Sequence, residues 1–217
     1  MTEATLQALD GLRDLSMVKW YVIPLMAIVF YIYTKEIKLA RQSGDWGAIY
    51  AGATVFGLDF LNETINGWVM VLSGRSALWT APGDTALRTM VGWNIEIMFM
   101  FSILGILFYH ALSQQKDRRY FGIPEMWFFA IGYTLLCVFI EVLLNIGGAL
   151  VWEYVFWNRS FAGIWLILLF GYFHFFAGAI WVLKMKHKSQ KIKAIGAIYG
   201  ITIALNIFAM GIMGWVY

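Results

Sequence analysis

The sequence predicts an all-α integral membrane protein: a bundle of six transmembrane helices, both termini outside the cytoplasm, with a short N-terminal helix at the membrane interface. Three observations predict it. Of 217 residues 61% are hydrophobic and only 13% charged, with a mean hydropathy of +0.69, whereas soluble domains carry about 25% charged residues. Six apolar runs approach or exceed the roughly 20 residues that span a bilayer. The sixteen lysines and arginines fall at or beyond the ends of these runs.

In chain order, MTEATLQALDGLRDLSMVKW comes first, with Leu6, Leu9, Leu12 and Leu15 recurring every three residues. That spacing predicts an amphipathic helix lying in the interface, and the segment has no basic leader or small-residue cleavage site. The spans follow at about 18–36, 47–73, 88–112, 124–152, 161–184 and 192–216, forming a single polytopic domain over 1–217. Trp79, Trp93, Trp127, Trp152, Trp157 and Trp215 fall near their ends, where amphipathic rings anchor at the headgroups. The loop 73–88 contains Pro82 and Gly83 and is expected to form a small lid. Gly196 and Gly200 suit a close helix contact, and Gly147 with Gly148 suit a bend.

Basic residues orient the bundle. Eleven lie in segments 35–46, 113–123 and 184–193, Lys116 among them, and five on the opposite side: Arg13, Lys19, Arg75, Arg88 and Arg159. The positive-inside rule therefore puts the three basic segments in the cytoplasm. The net charge of +3 reflects these loops and gives no reason to expect nucleic acid as a partner. The single Cys137 allows no internal disulfide and no thiolate metal site.

Against this apolar background stand Asp59, Glu63, Glu96 and Glu141, inside the second, third and fourth runs. An acid at mid-membrane costs roughly 2.5–3.5 kcal/mol on insertion scales, so four placed idly would cost on the order of 10–14 kcal/mol. In GLDFLNETINGW the spacing stacks Asp59, Glu63 and Asn66 on one helix face with Asn62 beside them. Asn94 and Glu96 are two residues apart and cannot share a face. Glu141 and Asn145 are one turn apart, His174 sits mid-span in the fifth run, and Trp68 closes the second run's polar stretch. These groups fall at one level, which predicts a single acidic cavity in the outer half of the bundle, capped by the 73–88 loop.

Such a cavity suits acid/base chemistry on a lipid-soluble substrate. A protonated carboxyl donates to an alkene or epoxide, a second carboxylate or His174 removes a proton elsewhere, and aromatic rings stabilise the cation between. The reading makes Asp59, Glu63, Glu96, Glu141 and His174 the candidate catalytic residues. Asn62, Asn66, Trp68, Asn94 and Asn145 are the candidate substrate-binding residues. No cofactor and no metal are expected, because the chain lacks nucleotide-binding glycine loops and Glu-x-x-His or His-Glu-x-x-His pairs. The expected partners are membrane lipids and a hydrophobic small molecule, with an oligomer or larger membrane complex as an assembly. The membrane is that of a bacterial cytoplasm or of the endoplasmic reticulum. The segment LNETINGW is loosely similar to the acid-bearing second helix of small integral-membrane terpene cyclases and emopamil-binding sterol isomerases. That resemblance implies proton chemistry on an isoprenoid or sterol. A proton- or cation-coupled transporter and an accessory subunit are the other readings, although no inverted repeat or paired broken helices mark a transporter.

Overall fold

The structure, a computed structural model, describes residues 1–113 and 117–217; Lys116, one of the eleven residues counted for the cytoplasmic side, lies outside the described residues. Helix α1 (Glu3–Asp10) and a 3-10 turn (Leu15–Met17) precede α2 (Val22–Ser43), α3 (Gly47–Ser73), α4 (Ile95–Ala111) and α5 (Glu125–Ile146). Next comes one continuous helix, Phe161–Lys184, in which α6 (Phe161–Leu166) and α7 (His174–Lys184) are joined by a π-helical stretch, Ile167–Phe173. Finally α8 (Lys188–Asn206) runs on into a second π-helical stretch, Ile207–Ile212. Among the described residues, short strands decorate the loops: β1 (Trp79–Thr80), β2 (Arg88–Met90), β3 (Trp93–Asn94), β4 (Arg119–Tyr120), β5 (Ile123–Pro124) and β6 (Val151–Trp152).

Among the described residues three helices are long and apolar enough to cross a membrane: Glu125–Ile146, Phe161–Lys184 and Lys188–Ile212. Helix α4 is apolar but has 17 residues, and α3 is long but interrupted by its acids.

Local chemistry explains where the helices depart from the apolar runs. Helix α2 starts late and continues past Lys35, Lys38 and Arg41, because lysine and arginine are good helix formers; it stops at Gly44, whose φ of 79° provides the left-handed cap. Helix α4 begins seven residues after the start of its apolar run. Asn94 caps it by accepting from Ile97 N at 2.9 Å, and residues 88–94 form the β2–β3 hairpin instead. Helix α5 ends at Gly147 rather than bending there. The Asn145 amide donates to Leu150 O at 3.0 Å, Gly148 takes a φ of 75°, and Val151 and Trp152 leave as strand β6.

Helix α3 is the axis of the bundle, packing chiefly on α4, α7 and α8. Its crossing with α4 is a backbone contact: a Cβ on Gly105 would lie 2.3 Å from Ala51 O and 2.8 Å from Gly52 Cα. The crossing with α8 uses Gly57, against the Tyr199 ring. Gly196 and Gly200 do not serve that purpose, since among the described residues a Cβ on either would meet no other element within 4 Å.

Polar contacts show which loops share an end. At one end, cation–π contacts pair Lys188 with Trp46 and Lys191 with Tyr50, and His110 meets Glu36 at 3.0 Å. At the other, β1 pairs antiparallel with β6, Arg13 N donates to Arg88 O at 2.8 Å and Arg13 Nη2 to Tyr217 O at 2.9 Å. Both termini, the 74–94 loop and the 147–160 loop thus build one cap. Helix α1 joins this cap instead of lying free in an interface. Thr5 and Ala8, not the leucine stripe, are its buried face, and Leu6 and Leu15 are exposed. Arg88 fastens cap to helix: it is buried, and its guanidinium donates to Ala81 O, Gly83 O and Ala8 O at 2.8, 2.8 and 3.3 Å.

Gly105→Ala is expected to force α3 and α4 apart and to cost about 1–3 kcal/mol, as overpacked contacts do, whereas Gly196→Ala is expected to be neutral. Thermal unfolding of both variants in the same detergent checks this; equal melting temperatures would refute the backbone crossing.

Candidate functional site

Asp59 and Glu63 stand one turn apart on α3, and Glu141 faces them from α5. Their relative exposures are 4, 3 and 4%. All three line one cavity, and among the described residues no lysine, arginine or histidine lines it with them. Three uncompensated carboxylates in an apolar interior would be prohibitively costly, so this cluster has to hold protons or a cationic group.

The donors that hold the acids are neutral: the cap supplies three indoles, and the helices add the Tyr172 hydroxyl to Glu141 and the Asn66 amide to Glu63. Trp93 Nε1 donates to Asp59 Oδ2 at 2.9 Å, Trp79 Nε1 to Glu63 Oε1 at 2.6 Å, and Trp152 Nε1 to Glu141 Oε1 at 3.0 Å. Strand pairing sets two of these donors side by side, because Trp79 and Trp152 are cross-strand partners in β1–β6. Trp93 is fixed separately, stacked on Phe60 with centroids 5.4 Å apart. Each acid keeps one oxygen engaged. The second oxygens, Glu63 Oε2 and Glu141 Oε2, are buried and have no hydrogen-bond partner among the described residues.

Asn66 positions the site without lining it. Its amide donates to Trp79 O at 2.8 Å and its carbonyl accepts from Trp79 N at 3.2 Å, so the side chain acts as a short extra strand for β1. Gly92 lets the Trp79 indole lie flat across it: a Cβ there would sit 2.5 Å from Trp79 Cδ1. The remaining wall is aromatic, with Phe101, Tyr172, Phe175 and Trp157 around the acids. The cavity leaves about 40 Å³ for the centres of water-sized molecules, room for a few waters at most.

Of the residues expected from the sequence, the structure brings together Asp59, Asn62, Glu63 and Glu141. It places the others elsewhere. Glu96 is consumed by the cap, accepting from Tyr21 and Thr85 hydroxyls at 2.5 Å each and from Ala86 N at 2.9 Å. Asn94 is a helix cap and Asn145 closes the turn after α5. Trp68 packs on Phe208 and Trp215, away from the acids. His174 lines a separate groove, with Asn62 between it and the cavity. The sequence reading missed the indole donors Trp79, Trp93 and Trp152 and the wall residue Tyr172. Position at span ends alone reads these tryptophans as headgroup anchors. Among the described residues no group of three His, Cys, Asp or Glu side chains is arranged to hold a metal ion.

A helical bundle with apolar spanning helices, closed at one end by a loop cap over buried carboxyls, defines an integral membrane protein. The comparisons agree: the chain belongs to the family described as "Uncharacterized membrane protein family", whose model matches residues 2–211. It is similar to a protein of Archaeoglobus fulgidus described as "Uncharacterized protein", at 38% identity over 215 residues covering 99% of each chain. No solved structure matches it.

Trp93→Phe removes the indole donor to Asp59 while keeping most of the stacking surface, and is expected to cost about 1–3 kcal/mol, the penalty for orphaning a buried acceptor. A double-mutant cycle with Asp59→Leu, read by thermal unfolding, should recover most of that loss; additive effects would mean the indole bond contributes nothing.

Proposed function

We propose that the cavity performs acid/base chemistry, of the isomerisation or cyclisation type, on an isoprenoid or other lipid-soluble substrate. The observation that carries this reading is the pair of oxygens, Glu63 Oε2 and Glu141 Oε2, that have no hydrogen-bond partner among the described residues, on two acids lining one cavity with no basic side chain among its described lining. One carboxyl in its acid form gives its proton to an alkene carbon, forming a C–H bond and leaving a carbocation on the neighbouring carbon. The other, as carboxylate, takes a proton from an adjacent carbon, and that electron pair forms the new double bond. No net proton, electron or cofactor is consumed, and the two acids exchange states. The aromatic wall of Phe101, Tyr172 and Phe175 offers ring faces to the transient cation. Asp59, one turn from Glu63, sets the charge the pair can carry, and the Trp79 and Trp152 indoles hold each acid by one oxygen so that the other stays free. His174, on the groove, has a part in the approach rather than at the acids. Helices α2 to α8 supply six spans in this reading, with the cap and both termini outside and the eleven-residue basic side in the cytoplasm.

A second reading is favoured by the size of the cavity. About 40 Å³ suits a proton on water or a small cation better than an organic molecule, as a proton- or cation-coupled transporter would need.

The test is mild solubilisation followed by native mass spectrometry and lipid extraction. A retained isoprenoid or sterol-like molecule, lost in Glu63→Gln, is the expected result. With that lipid supplied as substrate, Glu63→Gln and Glu141→Gln should each lower turnover by at least about 10²-fold while leaving the melting temperature near that of the parent. Full activity in both variants would end the enzyme reading; proton or cation flux into liposomes that both variants abolish would establish the second.

A further inference from the structure

Beside the carboxyl cavity, on the flank of the bundle, lies an apolar groove of about 390 Å³ that includes Ile65, Phe170 and His174. The two spaces share Asn62, Trp79 and Trp157 as a common wall. Trp79 and Trp157 are stacked across it, their ring centroids 5.7 Å apart and planes 28° from parallel. Volume separates the roles of the two spaces. The cavity holds a few waters, whereas the groove falls in the range of ordinary small-molecule pockets, roughly 300–1,000 Å³. The groove faces sideways between helix flanks, and Ile65 and Phe170 stand 47 and 62% exposed beside it. On a chain of the membrane class that flank meets lipid rather than water.

The two tryptophans of the wall differ in how they are held. Trp79 is pinned, its indole N–H on Glu63 and its backbone N–H and carbonyl both on Asn66. Trp157 is 5% exposed, and its Nε1 is buried with no partner among the described residues. It comes from the loop between β6 and α6 and is held by packing and by a backbone bond to Tyr154 O at 3.0 Å. A buried indole N–H left without an acceptor is a donor waiting for one.

We infer that Trp157 is the movable leaf of a lateral gate, and that the groove holds the apolar chain of a neutral lipid whose acceptor oxygen is taken by the Trp157 N–H on its way to Glu63 and Glu141. This rests on the acid/base reading above and specifies its substrate class. The head is a hydroxyl, carbonyl or epoxide oxygen. A phosphate is excluded, because three carboxyls border the cavity and no basic residue does. The chain arrives from the bilayer, so the water-facing cap need not open.

The test uses the full-length protein in lipid nanodiscs and dicyclohexylcarbodiimide, an apolar reagent that adds to a protonated carboxyl and stays as an N-acylurea. Peptide mass spectrometry then gives the labelling rate at Glu63 and Glu141. Trp157→Ala is expected to raise it about two- to tenfold, the range that loss of one aromatic pair allows. Ile65→Trp, a change at an exposed position that fills the groove, is expected to lower it. Farnesol should protect the acids in the parent protein, and farnesyl phosphate should not. Unchanged rates in both variants, or equal labelling by a water-soluble carbodiimide, would overturn the lateral route, and equal protection by the phosphate would overturn the neutral head. Labelling needs no turnover, so the gate can fail while Glu63 and Glu141 remain essential. The acids can likewise prove dispensable while the gate stands.

Discussion

The structure depends on three hydrogen bonds from tryptophan indoles to buried carboxyls. An N–H···O bond formed where water cannot compete is strong, and leaving either partner unmade there is expensive. Each of these bonds ties a loop residue back to a residue inside a helix, Trp93 to Asp59, Trp79 to Glu63 and Trp152 to Glu141. They therefore do two jobs. They draw the 74–94 and 147–160 loops down onto the bundle as a folded cap, and they hold α3 and α5 at the separation that creates the cavity. A neutral donor matters here. An arginine in place of an indole would make ion pairs and remove the need for protons at the site, which is the property the proposed chemistry uses.

The cap itself is built by substitution of side chains for missing backbone partners. Strands of two or three residues cannot stand alone. Asn66 lends β1 the two hydrogen bonds a third strand would provide, Arg88 collects two carbonyls of the irregular loop and one at the end of α1, and Glu96 gathers two hydroxyls and an amide at the foot of α4. Polar residues that look costly in a hydropathy profile are thus of two kinds. Some complete the cap, and a smaller set of three acids is left over for the cavity.

That division was not legible in the sequence. Helical spacing was enough to place Asp59 and Glu63 on one face and to set Glu141 opposite, because period and span length survive in any helical bundle. The 47–73 helix was legible to the residue, with small residues throughout and glycine at its end. The apolar runs overshot where polar capping won: Asn94 started α4 late and Gly148 released β6 early. Glu96 carried the same hydropathy signal as Glu63, yet only tertiary pairing with Tyr21 and Thr85 separates a structural acid from a cavity acid. The tryptophans were visible but ambiguous, since an indole at a span end serves equally as a headgroup anchor or as a donor turned inward.

The length of α4 has a consequence for the surrounding membrane. Seventeen residues rise only about 25 Å at 1.5 Å each, against a hydrocarbon layer of about 30 Å. In the six-span arrangement the bilayer must thin beside α4, or the β2–β3 hairpin at its foot must sink below the headgroups. Either way the floor of the cap is drawn toward the hydrocarbon. Lipid composition then becomes a control on the protein: chains that are too long would strain the hairpin carrying Trp93, and with it the indole that holds Asp59.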